Sequence, residues 1–162
     1  MTRLQAVSSY DMPSLSAGDY RRLLEFRDGL RRFLRWSESQ AIAVGLTPAQ
    51  HQLLLAIKGH PGSQRPTIGE VADHLRLRHH SAVELVNRAE TAGLVTRWSD
   101  ADDQRVVRLS LTNAGSRRLE ALSALHLEEL RRLTPRLRLL WADLEPEAAP
   151  PGLSPTKVRR ST

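Results

Sequence analysis

Apolar and polar positions change their rhythm along this chain of 162 residues, and the changes divide it into elements. Over residues 16–44, Leu23, Leu24, Leu30, Phe33, Leu34 and Ile42 recur at roughly helical spacing, with arginines on the other faces. That pattern predicts one long helix, stopped by Gly45. Thr47-Pro48-Ala49-Gln50 sets a capping hydroxyl three residues before a glutamine, with proline at the first helical position. It opens a second helix, which Gly59 and Pro61-Gly62 end. Thr67-Ile68-Gly69-Glu70 repeats the capping pattern and starts a short helix through Leu75. Arg76-Leu77-Arg78 is a tight connection, a further helix covers about 79–92, and Gly93 closes it. From Leu94 the period drops to two. LVTRWS and RVVRLSL alternate around the polar turn SDADDQ, so residues 94–111 read as a β-hairpin with an acidic tip.

Thr112 then caps a long helix from Asn113, with Leu119, Leu122, Leu125, Leu130, Leu133, Leu137, Leu140, Trp141 and Leu144 at helical spacing. About 30 residues of helix measure about 45 Å, more than a small domain covers by itself. Pro135 is expected to kink or split it. Residues 1–15 read as a flexible N-terminus, and the Pro-rich, apolar-poor residues 145–162 as a disordered tail. The fold class that follows is mainly α with a small β-hairpin wing. A winged helix-turn-helix spans 47–112 (helix-turn-helix 67–92, wing 94–111) between long helices at 16–44 and 113–144.

Composition narrows the chemistry. Aromatics are only 4 %, so Leu, Val, Ile and Ala must build the core. No apolar run approaches the ~20 residues that span a bilayer, and the first residues lack the apolar stretch of a signal peptide. A cytoplasmic protein without membrane association is expected. The absence of cysteine excludes disulfides, thiol sensing and cysteine zinc sites. The net charge of +6 suits a polyanionic partner. Residues 58–108, however, carry eight Lys/Arg against seven acids, so the argument for that partner must rest on placement.

Placement favours the 79–92 helix. Ala82, Leu85, Val86 and Ala89 fall on one face. His80, Ser81, Glu84, Asn87, Arg88 and Thr91 fall opposite, types that read base edges or hold phosphates and equally suit a solvated face. Arg76, Arg78, His79 and His80 cluster at its start, where recognition helices contact the groove. Adjacent histidines without acidic or cysteine partners are weak metal spacing, so no metal is expected. Arg97, Arg105 and Arg108 flank the hairpin tip, and arginine suits a narrow minor groove. Asp100, Asp102 and Asp103 would repel phosphate unless one pairs with Arg105 and shapes the wing; Asp100 and Asp102 read equally well as a solvated turn. No Gly-rich phosphate loop, G-x-S-x-G, H-E-x-x-H or nucleophilic cysteine is present, so neither an enzyme nor a cofactor is expected.

Ser81 to Arg97, SAVELVNRAETAGLVTR, resembles the recognition helix of the MarR family running into G-L-V-x-R. Asp100 to Gly115 resembles that family's wing signature, D-x-R followed by L-T-x-x-G, here Asp103, Arg105, Leu111, Thr112 and Gly115. Leu46-Thr47-Pro48 with Gln50 resembles its L-T-x-x-Q opening. The likeness covers roughly residues 19–144. It implies a homodimeric transcription regulator, by family default a repressor, on a pseudo-palindromic double-stranded operator. Residues 16–44 and 113–144 would be intertwined N- and C-terminal dimerisation helices. The DNA-contact set would be Arg76, Arg78, His79, His80, Ser81, Glu84, Asn87, Arg88, Arg97 and Arg105. Arg105 would enter the minor groove, with Asp103 and Thr112 structuring the wing. A small aromatic or anionic effector would bind near Arg35, Trp36 and His51. The alternative there is Trp36 as a core or interface residue and His51 as a partly exposed one. The Arg-His-His start departs from the family, so no base preference transfers. The rival readings are a winged helix used for protein–protein contact and a DNA binder without an effector.

Overall fold

Three of the helices begin in the same way, with a hydroxyl and an acceptor side chain exchanging hydrogen bonds across the first turn. Ser16 with Asp19, Thr47 with Gln50 and Thr67 with Glu70 each form this reciprocal box. They start α1 (Ala17–Ala43), α2 (Pro48–Lys58) and α3 (Ile68–Leu75). Then follow α4 (His79–Thr91), β1 (Val95–Ser99), β2 (Val107–Leu111) and α5 (Asn113–Trp141). The structure is a computed structural model and describes residues 14–100, 103 and 105–141. Residues 1–13 of the expected N-terminal segment, Asp102, Leu144 and the tail 145–162 lie outside the described residues.

Glycine ends α1 and α4 for a stated reason. Gly45 (φ 74°) and Gly93 (φ 68°) take the left-handed conformation. Each lets the next amide turn back on the helix: Leu46 N–H to Ala41 O and Leu94 N–H to Ala89 O, both 2.9 Å.

The core sits where α2 meets everything else. Leu53 and Leu54 of α2, Val71 of α3, Val86 of α4, Leu94, Leu109 of β2 and Leu122 of α5 are fully buried in one cluster. Burial of each such leucine is worth about 2 kcal/mol. The two strands pair antiparallel with Arg97 opposite Leu109. Thr67 bridges to Arg108, and Leu109 N–H donates to Pro66 O at 2.8 Å, so the chain entering α3 lies along the free side of β2.

The helix from Asn113 is not split at Pro135. It runs as one element of 29 residues. Pro135 is exposed, where water can serve the carbonyl that the missing N–H leaves open, and Thr134 Oγ1 donates to Leu130 O at 2.7 Å in the turn just before. Leu23, Leu24, Leu34 and Ile42 of α1 and Leu125, Leu127 and Leu130 of α5 remain exposed.

Candidate nucleic-acid interface

The turn between α3 and α4 is made by an arginine in an unusual conformation. Arg76 has φ 56° and ψ 36°, the left-handed region where glycine is the common choice. Its cost is offset by Leu77 N–H, which returns to Ala72 O at 2.9 Å. Thr67 anchors the other end of α3: hydrogen bonds from its backbone, and then from its hydroxyl, hold the Glu70 carboxyl below its ordinary pKa. α4 buries Ala82, Leu85, Val86 and Ala89 against the core, which turns its other face outward. Arg76, Arg78, His79, His80, Glu84, Asn87 and Arg88 are exposed there, and Ser81 is half-buried. No side chain caps the start of α4. Its first N–H groups therefore stand open beside Arg76 and Arg78, a combination that favours an anion.

At the wing, the acidic tip sorts its three arginines. Asp103 accepts from Arg105 three times: from the backbone N–H at 3.0 Å, from Nε at 3.1 Å and from Nη2 at 3.2 Å. These bonds, the side-chain ones first, hold the Asp103 carboxyl below its ordinary pKa. The Arg105 side chain is nonetheless 91 % exposed. Arg108 faces the other way. It pairs with Asp100, whose side chain is only 10 % exposed, and donates to Arg65 O at 2.7 Å. Asp100 is thus a structural partner inside the wing rather than a solvated turn residue. Arg65 also lies over the Trp98 ring, 5.0 Å from its centroid, and Trp98 Nε1 donates to Ser110 Oγ at 2.8 Å. Arg97 is not at the tip. It reaches back from β1 to α4, donating to Asn87 Oδ1 and pairing with Glu90 at 3.1 Å. Sequence position alone grouped these arginines; the strand faces separate them.

Thr112 ties the wing to α5. Its hydroxyl donates to Gly93 O at 2.7 Å and accepts from Gly115 N–H at 3.0 Å, while its own N–H donates to Leu94 O at 3.0 Å.

Of the three residues expected near an effector, two come together. Trp36 and His51 each pack on His126 of α5, with ring centroids 4.9 Å away in both cases, and Phe33 meets His126 edge-on at 5.9 Å. Arg35 is exposed and outside this ring cluster. His51 is buried, not partly exposed. His126 is held by Ser37 Oγ at 2.6 Å and Leu122 O at 2.7 Å. It went unremarked in the sequence, although it follows Leu119 and Leu122 on the same apolar stripe. A cleft of about 380 Å³ lies elsewhere, at the foot of the wing between Lys58, His60, Arg65 and Ser116. Among the described residues no group of three or more His, Cys, Asp or Glu side chains could hold a metal ion.

Burial, and then the charge of the neighbouring His126, push the His51 pKa below its ordinary value. The folded protein therefore holds His51 neutral, while the unfolded chain takes up a proton near pH ~6.5. Protons thus favour unfolding: this part of the stability is complete above about pH 6.5 and falls as the pH drops below it. In denaturant titrations at about pH 7.5 and about pH 5.5, His51→Gln should lose less stability on acidification than the wild type. Equal losses would place the acid sensitivity on other groups.

Residues 44–106 match the family model described as MarR family. The HTH-type transcriptional repressor MdtR of Bacillus subtilis (strain 168) is 32 % identical over 80 residues, 49 % of this chain and 50 % of that protein. The chain thus matches about half the length of this curated relative. Two solved structures share the fold. AbsC, a MarR family transcriptional regulator from Streptomyces coelicolor, superposes with a TM-score of 0.63 at 20 % identity over 83 % of this chain and 95 % of its own. The S. aureus MepR–DNA complex does so with a TM-score of 0.59 at 20 % identity over 74 % of this chain and 88 % of its own. Over residues 44–106 the chain is thus similar to the MarR family, and over most of its length it shares the winged helix-turn-helix fold of these solved structures.

Proposed function

We propose that this protein is a homodimeric, sequence-specific regulator of transcription, a repressor that binds double-stranded DNA in the cytoplasm. The observation that carries the reading is the uncapped start of α4, open beside Arg76 and Arg78, together with a wing whose Arg105 is exposed yet braced by Asp103. Arg76, Arg78, His79 and His80 would meet phosphates at the groove edge, while Ser81, Glu84, Asn87 and Arg88 face base edges. Arg105 would enter the minor groove. The left-handed Arg76 supports this: a long cation kept where glycine would be easier is best understood through its side chain.

Dimerisation is supported by the exposed leucines of α1 and α5, an apolar face that a single chain leaves uncovered. A symmetric pair would present two recognition helices to the two halves of a pseudo-palindrome. The effector reading rests on the ring cluster of Trp36, His51 and His126, which joins α1, α2 and α5. A small aromatic or anionic molecule seated against it would change how the winged helix sits on the long helices, and so the spacing of the paired recognition helices. Among the described residues no helix is long and apolar enough to cross a membrane.

Salt titration tests the DNA reading. If Arg76 and Arg78 of each subunit neutralise one phosphate apiece, log affinity falls against log salt with a slope of about −3.6. An affinity that ignores salt, or no retention of any duplex, would remove the proposal.

A further inference from the structure

Arg97 and Asn87 lie on different elements yet form one unit. Val95 and Arg97 point to the same side of β1, and Arg97 pairs in register with the fully buried Leu109, so its stem runs along the core side of the hairpin towards α4. There its guanidinium takes Glu90 with one arm, at 3.1 Å, and Asn87 with the other. Its Nε is buried without a hydrogen-bond partner. A buried donor left open is costly, so the two outer contacts are what dictate where this side chain sits. Glu90 also neutralises it, which makes Arg97 a poor phosphate ligand and points to a role exerted through Asn87.

The contact fixes the orientation of the Asn87 amide. A guanidinium only donates, so the atom facing it must be Oδ1. Nδ2 is then the end left over, and it has no acceptor among the described residues. A free asparagine pairs with adenine by using both ends: Oδ1 accepts from N6 and Nδ2 donates to N7. Here Arg97 takes one of the two lone pairs of Oδ1, and the guanidinium charge beside the other repels the amine of adenine. Guanine, with O6 and N7 both accepting, and thymine, with O4 accepting, suit an exposed amine.

We infer that Arg97 is a positioning residue that makes Asn87 a donor-only reader, so that one position of each half-site is guanine or thymine rather than adenine. This deepens the DNA-binding reading and rests on it. The test uses the full chain. Wild type, Asn87→Ala, Arg97→Ala, Arg97→Lys and Asn87→Asp are each used to select from a randomised duplex library. Affinities are then measured for the selected duplex and its single-base variants, with thermal melting to establish that each protein is folded. The wild type should select guanine or thymine at a position whose preference disappears in Asn87→Ala. Arg97→Ala should raise the relative affinity for adenine there by at least about fivefold, while other positions keep their preferences. Arg97→Lys retains a donor to Oδ1 and should keep the wild-type preference. Asn87→Asp removes the exposed donor and should abolish the preference for guanine or thymine at that position. If Arg97→Ala does not fold, the Arg97→Lys and Asn87→Asp results decide alone. A merely structural Arg97 would weaken all sequences alike, and that result overturns the inference. So does adenine at the Asn87-dependent position of the wild type, or no position that depends on Asn87. Failure of the wild type to retain any duplex would instead overturn the DNA reading, and this inference with it.

Discussion

Gly115→Ala is expected to cost about 3 kcal/mol or more, the upper end of what overpacking a core costs. A Cβ at this position would stand 2.2 Å from Leu94 O and 3.1 Å from its carbonyl carbon. Both belong to backbone, and the backbone there cannot yield cheaply. Leu94 is buried, its N–H is bonded to Ala89 O, and its carbonyl accepts from Thr112 N–H. The L-T-x-x-G spacing thus has a physical content. Thr112 turns the chain from β2 into α5 and caps it, and Gly115 lets the first turn of α5 lie directly on the chain leaving α4. For a chain of this length the thermal midpoint should drop by roughly 6–12 °C. A midpoint within about 2 °C of the wild type would mean that the contact relaxes freely.

Arg105→Ala should weaken binding to the selected operator by about 1–3 kcal/mol for each wing engaged, so well over tenfold for a dimer using both. Its stability should stay within about 0.5 kcal/mol of the wild type, because the side chain is 91 % exposed and, among the described residues, bonds only the nearby Asp103. The separation between these two readouts is the point of the test. Asp103→Asn leaves the cation in place but removes the charged brace, and should give a smaller loss of affinity. Unchanged operator affinity in Arg105→Ala would remove the wing from the interface.

The sequence displayed the elements well because their signals are local. Capping boxes at Thr47 and Thr67 and left-handed glycines at 45 and 93 act within one turn of chain. The period-two runs around the acidic turn became β1 and β2 with little change in their bounds. What the sequence concealed depends on geometry between elements. Arg97, Arg105 and Arg108 look alike in a list of charges. Strand register sends Arg97 to α4 and Arg108 to Asp100, and leaves only Arg105 at the tip. His126 finds its partner Ser37 on α1, 89 residues earlier, which no local pattern announces. Pro135 argued for a break that an exposed, solvated turn did not require.

Thr67 has one further consequence. Its side chain caps α3, while its backbone bridges to Arg108 of β2. A free two-stranded hairpin is marginal in water, and this one borrows its third member from the residue that starts the helix-turn-helix. The wing therefore has no independent low-energy opening. To peel away it must break the bridge at Thr67, the residue that caps α3, so opening of the wing is coupled to the start of the helix-turn-helix.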